Sequence, residues 1–436
     1  VKEGFKMEGE QKMKLWNKNF FLLWQGQLVS YLGDIIYSFA LSFWVLQVTG
    51  STALMGILSA VSMAPRLILG PFAGVFVDKW DRKKIIVVTD FIRGILSTLI
   101  GIVAIMGALE VWMVFIVGIS NSICSAFFNP AITAIKPDLV HRSKLSKANS
   151  VTSFAESGAS MVGGAVSGVI YISIGAPYMF LSNGISYLFS AFTELFIDIS
   201  NDKREVKKIT FKQDFKEGLS FIWNFKTLRY MFMGSCCINF FCNAAFILLL
   251  PMFNESNFLG AERYGIAMAM SSFGMLIGSG LLSVINVPHN KKYLVSLFSL
   301  IFMGGLWLLI PISSNFYVII FALSVAQCLN MISNTIINTM NMTIVPENKR
   351  GKVFALFNTL SMGLTPLGTC VGGILGEMFS IRVAMFGLLL IVFMGCIAIP
   401  CIKGLKTMIS FNPDNETIDD LIKRTNDETN GSVNLS

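Results

Sequence analysis

Long apolar runs alternate with short polar breaks along the chain. A helix needs about 20 apolar residues to cross the hydrocarbon core of a bilayer. Runs of that length predict twelve spanning helices, over 19–48, 52–77, 85–107, 110–134, 149–173, 176–197, 227–253, 263–287, 293–312, 316–345, 353–377 and 382–402. Several hinges are a few residues long, such as Gly50-Ser51-Thr52 and Ser313-Ser314-Asn315. Only two interruptions are long and polar, and they set the expected organisation. Residues 1–18 form a polar cytoplasmic segment, 19–197 a first six-helix bundle, 198–226 a linker, 227–402 a second six-helix bundle and 403–436 a tail. The expected fold class is an all-α membrane protein of two pseudo-symmetric six-helix bundles.

The linker carries Phe211, Phe215, Leu219 and Ile222 at helical spacing with lysines between them. It reads as an amphipathic helix on the inner leaflet. The tail is too polar to build a core and reads as disordered. The first eighteen residues are too polar for a signal peptide.

Composition agrees with the pattern. Of 436 residues, 54% are hydrophobic and 14% charged, where soluble domains carry roughly 25% charged residues. The net charge is +8, and its placement decides its meaning. With the N-terminus cytoplasmic, 30 of the 34 Lys and Arg fall in inside segments, Arg263 and Arg382 fall outside, and Arg66 and Arg93 lie within spans. This is the bias of the positive-inside rule. The excess charge therefore faces anionic lipid, and nucleic acid is not an expected partner. The eight cysteines lie in apolar stretches without a Cys-x-x-Cys pair, and the two histidines have no partner at ligand spacing. Neither a metal nor a cofactor is expected.

The two bundles align without gaps at an offset of 209 residues. Asp34 meets Asn243, Arg82-Lys83 meets Lys291-Lys292, Asn121 meets Asn330, Asn129 meets Asn338, Pro137 meets Pro346, and Gly163-Gly164 meets Gly372-Gly373. Parallel half-repeats of this kind are a transporter architecture, with substrate held near the midplane and access alternating between the two sides.

Between the second and third spans the chain reads GPFAGVFVDKWDRKK. Gly74, Asp78, Lys79, Arg82 and Lys83 resemble the loop signature of the major facilitator superfamily, with Asp81 where many members carry Gly. A small residue at Gly74 suits close helix approach. Asp78 at the helix end suits a latch to basic groups, and Asp90 and Arg93, three apart on one face, suit a structural pair supporting that latch. WQGQLVSYLGDIIYSFAL, VTGSTALMG, DFIRG, FFNPAITAIKPDLV and LSKANSV resemble the drug:proton antiporter branch that contains the macrolide-efflux proteins. The resemblance covers nearly all of residues 16–402 and implies proton-coupled export of amphipathic drugs. The fifth span, GASMVGGAVSG, lacks the Gly-Pro pair frequent in antiporters. The eleventh carries Pro366 in GLTPLGTCVGG.

A charge at mid-bilayer costs at least about 2.5–3.5 kcal/mol, so each needs a partner or a role. Asp34, Arg66, Asp90, Arg93, Glu156 and Glu194 all lie in the first half. Asp34 stands about 24 Å up its helix and Arg66 about 18 Å up the next, counted from the same side at 1.5 Å per residue. These depths allow a pair, either a proton-operated switch or a permanent salt bridge. Glu156, facing an apolar cavity, suits proton exchange; near the headgroups it is merely hydrated. Glu194 ends its span and is expected to reach water. Gln327, Asn330, Asn334, Asn338 and Asn341 share one face of the tenth helix. With Asn243 they are candidates to line the substrate cavity, or else glue between helices.

The leading expectation is an exporter of amphipathic, macrolide-like drugs by proton antiport in the plasma membrane of a bacterium, with both termini cytoplasmic and the chain acting as a monomer. Its partners are the substrate, protons and the bilayer. Export of an endogenous lipid, lysophospholipid or siderophore is the same-class alternative, and a membrane sensor the different-class one. No phosphate-binding loop, zinc-binding His pair or appended catalytic domain marks the chain as an enzyme.

Overall fold

The computed structural model describes residues 15–198, 211–255, 260–285, 287–411 and 416–430. Its elements are helices, and the caps are written in the hinges. Asn17 opens α1 (Lys18–Thr49) by accepting from Phe20 N at 2.9 Å. Gly50 closes α1 in the left-handed region, and Ser51 at once opens α2 (Thr52–Lys79) by accepting from Leu54 N at 3.1 Å. A sharp hinge of this kind needs Gly, because a Cβ disfavours positive φ. Asp81 opens α3 (Arg82–Ile105), its carboxylate accepting from Lys84 N at 3.2 Å. The Asp that departs from the familiar loop signature is thus the helix cap.

α4 spans Val111–Leu139. The next helical stretch, Leu145–Glu194, is 50 residues long and breaks at Gly175, where φ is 80° and ψ 170°. It is two helices, α5 over 145–174 and α6 over 176–194. The described remainder comprises α7 (Phe211–Asn224), α8 (Lys226–Phe246), α9 (Leu249–Glu255), α10 (Gly260–Val284), α11 (His289–Ile312), α12 (Phe316–Ile344), α13 (Glu347–Gly363), α14 (Thr365–Met378), α15 (Ile381–Ala398), α16 (Leu405–Ile409) and α17 (Ile418–Asn430). Eleven stretches among the described residues are long and apolar enough to cross a membrane. The break at Gly175 divides one of them, which makes twelve crossings. α8–α9 and α13–α14 each make a single crossing, and Pro366 lies in the first turn of α14, where the helix restarts.

The chain divides into two compact units, residues 1–207 with 259–269, and 208–258 with 270–436. In the first, α6 packs against both α1 and α3. Gly26 and Gly33 of α1 lie against Ser190 and Ser186, and Gly94 and Gly101 of α3 against Leu188 and Leu181. A side chain at these glycines would collide, so the glycines set how closely the helices approach. α5 meets α1 where Gly163 faces Ile35. In the second unit Gly372 faces Ala244, each residue 209 positions further on. The repeat thus extends to the packing within each unit. Both units carry exposed large apolar side chains, among them Ile68, Phe72, Phe302, Phe321 and Val383, as lipid solvation allows.

One expectation gains detail here and one is corrected. The linker helix forms, and one of its faces packs on α13. Gly218 rests against Lys352 of α13, Glu217 pairs with Lys352, and Phe221 and Ile222 are buried with Val353 and Leu356. Leu219 is exposed, and the side chains of Phe211 and Phe215 lie outside the described residues. The tail is not disordered over its described part. Leu405, Met408, Ile409 and Phe411 are buried, and Leu421 of α17 is buried completely. Asn426 accepts from Lys226 N at 3.1 Å and donates to Asn224 O at 3.1 Å, which joins α17 to the start of α8. Ile418, Leu421, Ile422 and Thr425 supply the packed face, at the i, i+3, i+4, i+7 spacing of an amphipathic helix. Overall polarity hid that stripe.

Candidate functional site

The glycine contacts of α1 and α3 bring four helices of the first unit around one buried charge cluster. Asp34 projects from α1, Asp90 and Arg93 from α3, Ser125 and Phe128 from α4, and Tyr187, Ser190 and Glu194 from α6. Tyr187 donates its hydroxyl to Asp34 Oδ1 at 2.5 Å. Its ring also lies under the Arg93 guanidinium, 5.4 Å from the ring centroid. Phe128 stacks on that guanidinium at 4.6 Å. Arg93 Nη2 donates to Ser125 Oγ at 2.9 Å, and Nη1 lies 3.5 Å from Asp90 Oδ1. Glu194 Oε1 accepts from Ser190 Oγ at 3.4 Å.

Burial grades the cluster. Asp90 and Glu194 are 0% exposed and Arg93 4%, whereas Asp34 is half-buried. Arg93 attracts all three carboxyl groups, and ionised Asp90 repels both Asp34 and Glu194. One guanidinium therefore serves three carboxyls. Asp90 Oδ2, Arg93 Nε and Glu194 Oε2 are buried without a hydrogen-bond partner among the described residues. A fully ionised set would leave uncompensated charge in a dry interior, which is costly. Protonation of one carboxyl group would relieve that imbalance.

Several sequence expectations are redrawn. Asp34 and Arg66 form no ion pair among the described residues. Depth along a helix matched them, but the partners of Asp34 come from α3 and α6, while Arg66 N donates to Ser122 Oγ of α4 at 3.1 Å. Glu194 does not reach water. Asp90 and Arg93 belong to the buried cluster and not to the loop. The ion pair at the α2–α3 loop is instead Arg82 with Asp138 of α4, at 2.7 Å, with a further bond from Arg82 to Ala134 O at 3.1 Å. Lys79 is exposed and Lys83 half-buried, and the side chain of Asp78 lies outside the described residues. A Cβ at Gly74 would meet nothing within 4 Å, so that glycine makes no close helix contact. Glu156 is exposed on α5 and acts electrostatically on Lys136 of α4.

The amides of the second unit are partly tied to one another. Asn334 donates to Asn330 Oδ1 at 2.7 Å, and Asn330 to Gln327 Oε1 at 3.1 Å. Asn334 and Asn338 are exposed, while Asn341 is buried with its Oδ1 unpartnered. Asn243 turns back on α8, donating to Asn239 O at 2.7 Å. Counterparts of the cluster at the 209-residue offset are Asn243 for Asp34, Ser299 for Asp90 and Phe302 for Arg93. The charge cluster is not repeated.

Twelve membrane crossings in two repeated halves, with a polar cluster inside one of them, define a secondary transporter of the major facilitator class. The chain belongs to the transmembrane secretion effector family, whose model matches residues 13–436. It is similar to macrolide efflux protein A of Streptococcus pyogenes, 27% identical over 90% of this chain and 97% of that one. It is also similar to the staphyloferrin A transporter of Staphylococcus aureus, 25% identical over 80% of this chain and 88% of that one. In fold it matches the crystal structure of a bacterial homologue of the iron transporter ferroportin in an inward-facing state. The TM-score is 0.65 at 15% identity, over 87% of this chain and 98% of that one. The protein is a multi-pass transporter of the bacterial plasma membrane and not an enzyme.

Proposed function

We propose that the protein exports amphipathic, macrolide-like drugs by proton antiport, and that the first unit holds the coupling centre. The observation that carries this reading is the imbalance of the buried cluster, three carboxyl groups around Arg93. Asp34 is its least buried carboxyl member. A proton arriving there weakens its hold on Tyr187 and Arg93, which changes how α1 and α6 are held together. A carboxylate that exchanges protons at such a hinge can bias alternating access. Glu156, exposed on α5, serves cationic substrates or protons. The amide face of α12 and Asn243 offer neutral hydrogen-bonding groups to substrate. The loop charges Lys79, Arg82 and Lys83 stay cytoplasmic, as the charge bias directs, and the chain works as a monomer.

The test is accumulation of a fluorescent cationic dye and of a labelled macrolide in pump-deficient cells, with and without the protein. Each measurement is repeated after the proton gradient is collapsed. The expected result is reduced accumulation that returns to the control level on collapse. Unchanged accumulation of both compounds rejects drug export. The similarity to a staphyloferrin A transporter then makes export of a siderophore-like metabolite the second reading.

A further inference from the structure

We infer that a groove between α8 and α15 binds one anionic phospholipid of the surrounding bilayer, with an acyl chain along its floor and the phosphate at a cationic mouth. The groove has a volume of about 760 Å³. Its floor is apolar and open, formed by Gly234, Cys237, Ile238 and Phe241 of α8 with Met394 and Gly395 of α15. A Cβ at Gly234 would press on Ile399 and one at Gly395 on Ile238, so the two glycines let α8 and the α15 end approach closely beneath the groove. At one end the lining changes to Tyr230, Lys403 and Thr429.

That end carries the features of a membrane–water interface. Arg229 stacks over Trp223 at 4.9 Å and over Tyr230 at 5.1 Å, and its Nη2 lies 3.5 Å from the Tyr230 hydroxyl. Trp223 is 60% exposed, as an interfacial anchor should be. Lys403 is exposed. Lys403 lines the mouth, Arg229 stands beside it on Tyr230, and neither forms an ion pair with a carboxylate among the described residues.

Length sets the occupant. From Tyr230 to Phe241 the floor follows α8 for eleven residues, about 16 Å at 1.5 Å per residue. Half of a hydrocarbon core is about 15 Å. The groove thus reaches from the headgroup level to the midplane, the span of a single acyl chain. A soluble anion would use the mouth and leave the apolar floor empty. A neutral lipid would use the floor and leave the cations unpaired. An anionic phospholipid matches both.

Native mass spectrometry of the delipidated full-length protein in detergent tests the assignment, with equimolar dioleoyl phosphatidylglycerol and dioleoyl phosphatidylcholine as probes. The wild type should retain phosphatidylglycerol preferentially. Each cation near an anionic lipid contributes enough for several-fold in affinity, so the Arg229→Gln/Lys403→Gln double variant should lose the preference by about tenfold or more. Cys237→Trp, which fills the floor, should lower retention of both lipids. Glycerol phosphate, which lacks the chains, should not compete. Equal retention of the two lipids by the wild type would overturn the inference. So would an unchanged preference in the double variant, or displacement by glycerol phosphate as effective as by lipid. The readout is independent of drug export, so it stands or falls separately from the transport reading.

Discussion

At Asp34 the decisive contact is one hydrogen bond. Tyr187→Phe keeps the ring against Arg93 and removes only the hydroxyl that holds the carboxyl group at 2.5 Å. A bond to a charged group is worth about 1.5–3 kcal/mol. The variant should therefore reach the membrane at normal levels, yet lose roughly tenfold or more of its gradient-driven export in the accumulation assay. Asp34→Asn should abolish the gradient-dependent part altogether, and full export by that variant would reject the coupling role. Arg93 poses the opposite case. Arg93→Met leaves Asp90 and Glu194 buried without their cation, a change that costs about 3–5 kcal/mol when a buried pair is broken. A lower thermal unfolding midpoint for the purified variant would show it. The sequence named four of these residues, Asp34, Asp90, Arg93 and Glu194, as intramembrane charges, but not which of them meet. Counting residues along a helix gives height, whereas pairing also depends on which way each helix faces. Tyr187 carried no signal of its own, since one tyrosine in an apolar span resembles any packing residue. Its position seven residues before Glu194, on the same face of α6, becomes meaningful only once α6 is known to touch both α1 and α3.

At the scale of elements, the glycines divide into two kinds. Gly372 faces the Ala244 carbonyl oxygen so closely that a Cβ must displace backbone, whereas Gly74 faces open space. Gly372→Ala should lower expression and thermal stability. Gly74→Ala should leave both within about 0.5 kcal/mol, the range of substitutions that touch nothing. Any loss of transport in Gly74→Ala would then report on the loop itself and not on packing. The spans were legible because lipid demands an apolar run whatever the neighbours. The break at Gly175 was legible for the same reason, as a short interruption between two such runs. α17 was not. Its four packing residues are diluted by acidic and amide side chains, and composition outweighed periodicity.

At the scale of the whole molecule, the duplication carries the skeleton twice and the charges once. The 209-residue offset preserves close packing at Gly163 and at Gly372, yet it converts Asp34, Asp90 and Arg93 to Asn243, Ser299 and Phe302. Repetition was visible in the sequence because small residues that fix helix approach leave little room for change. The division of labour was visible too, as the absence of charge from the second set of spans. Placement of the cationic segments on one side gives a further expectation. A phosphatase reporter, active only outside the cytoplasm, should be inactive when fused after α17 and active when inserted beside Arg382.

The turn at Gly175 has a mechanical consequence. With one non-helical residue between them, α5 and α6 have little slack, and a displacement of one arm is expected to be felt by the other. α5 bears the glycine face that meets α1, and α6 bears Tyr187 and Glu194. A small tilt of one arm is therefore delivered to the other as a lever delivers it, with the fulcrum at the glycine. Lengthening the hinge by a few glycines should uncouple the arms, leaving a protein that still folds and still takes up protons but no longer turns them into movement of cargo.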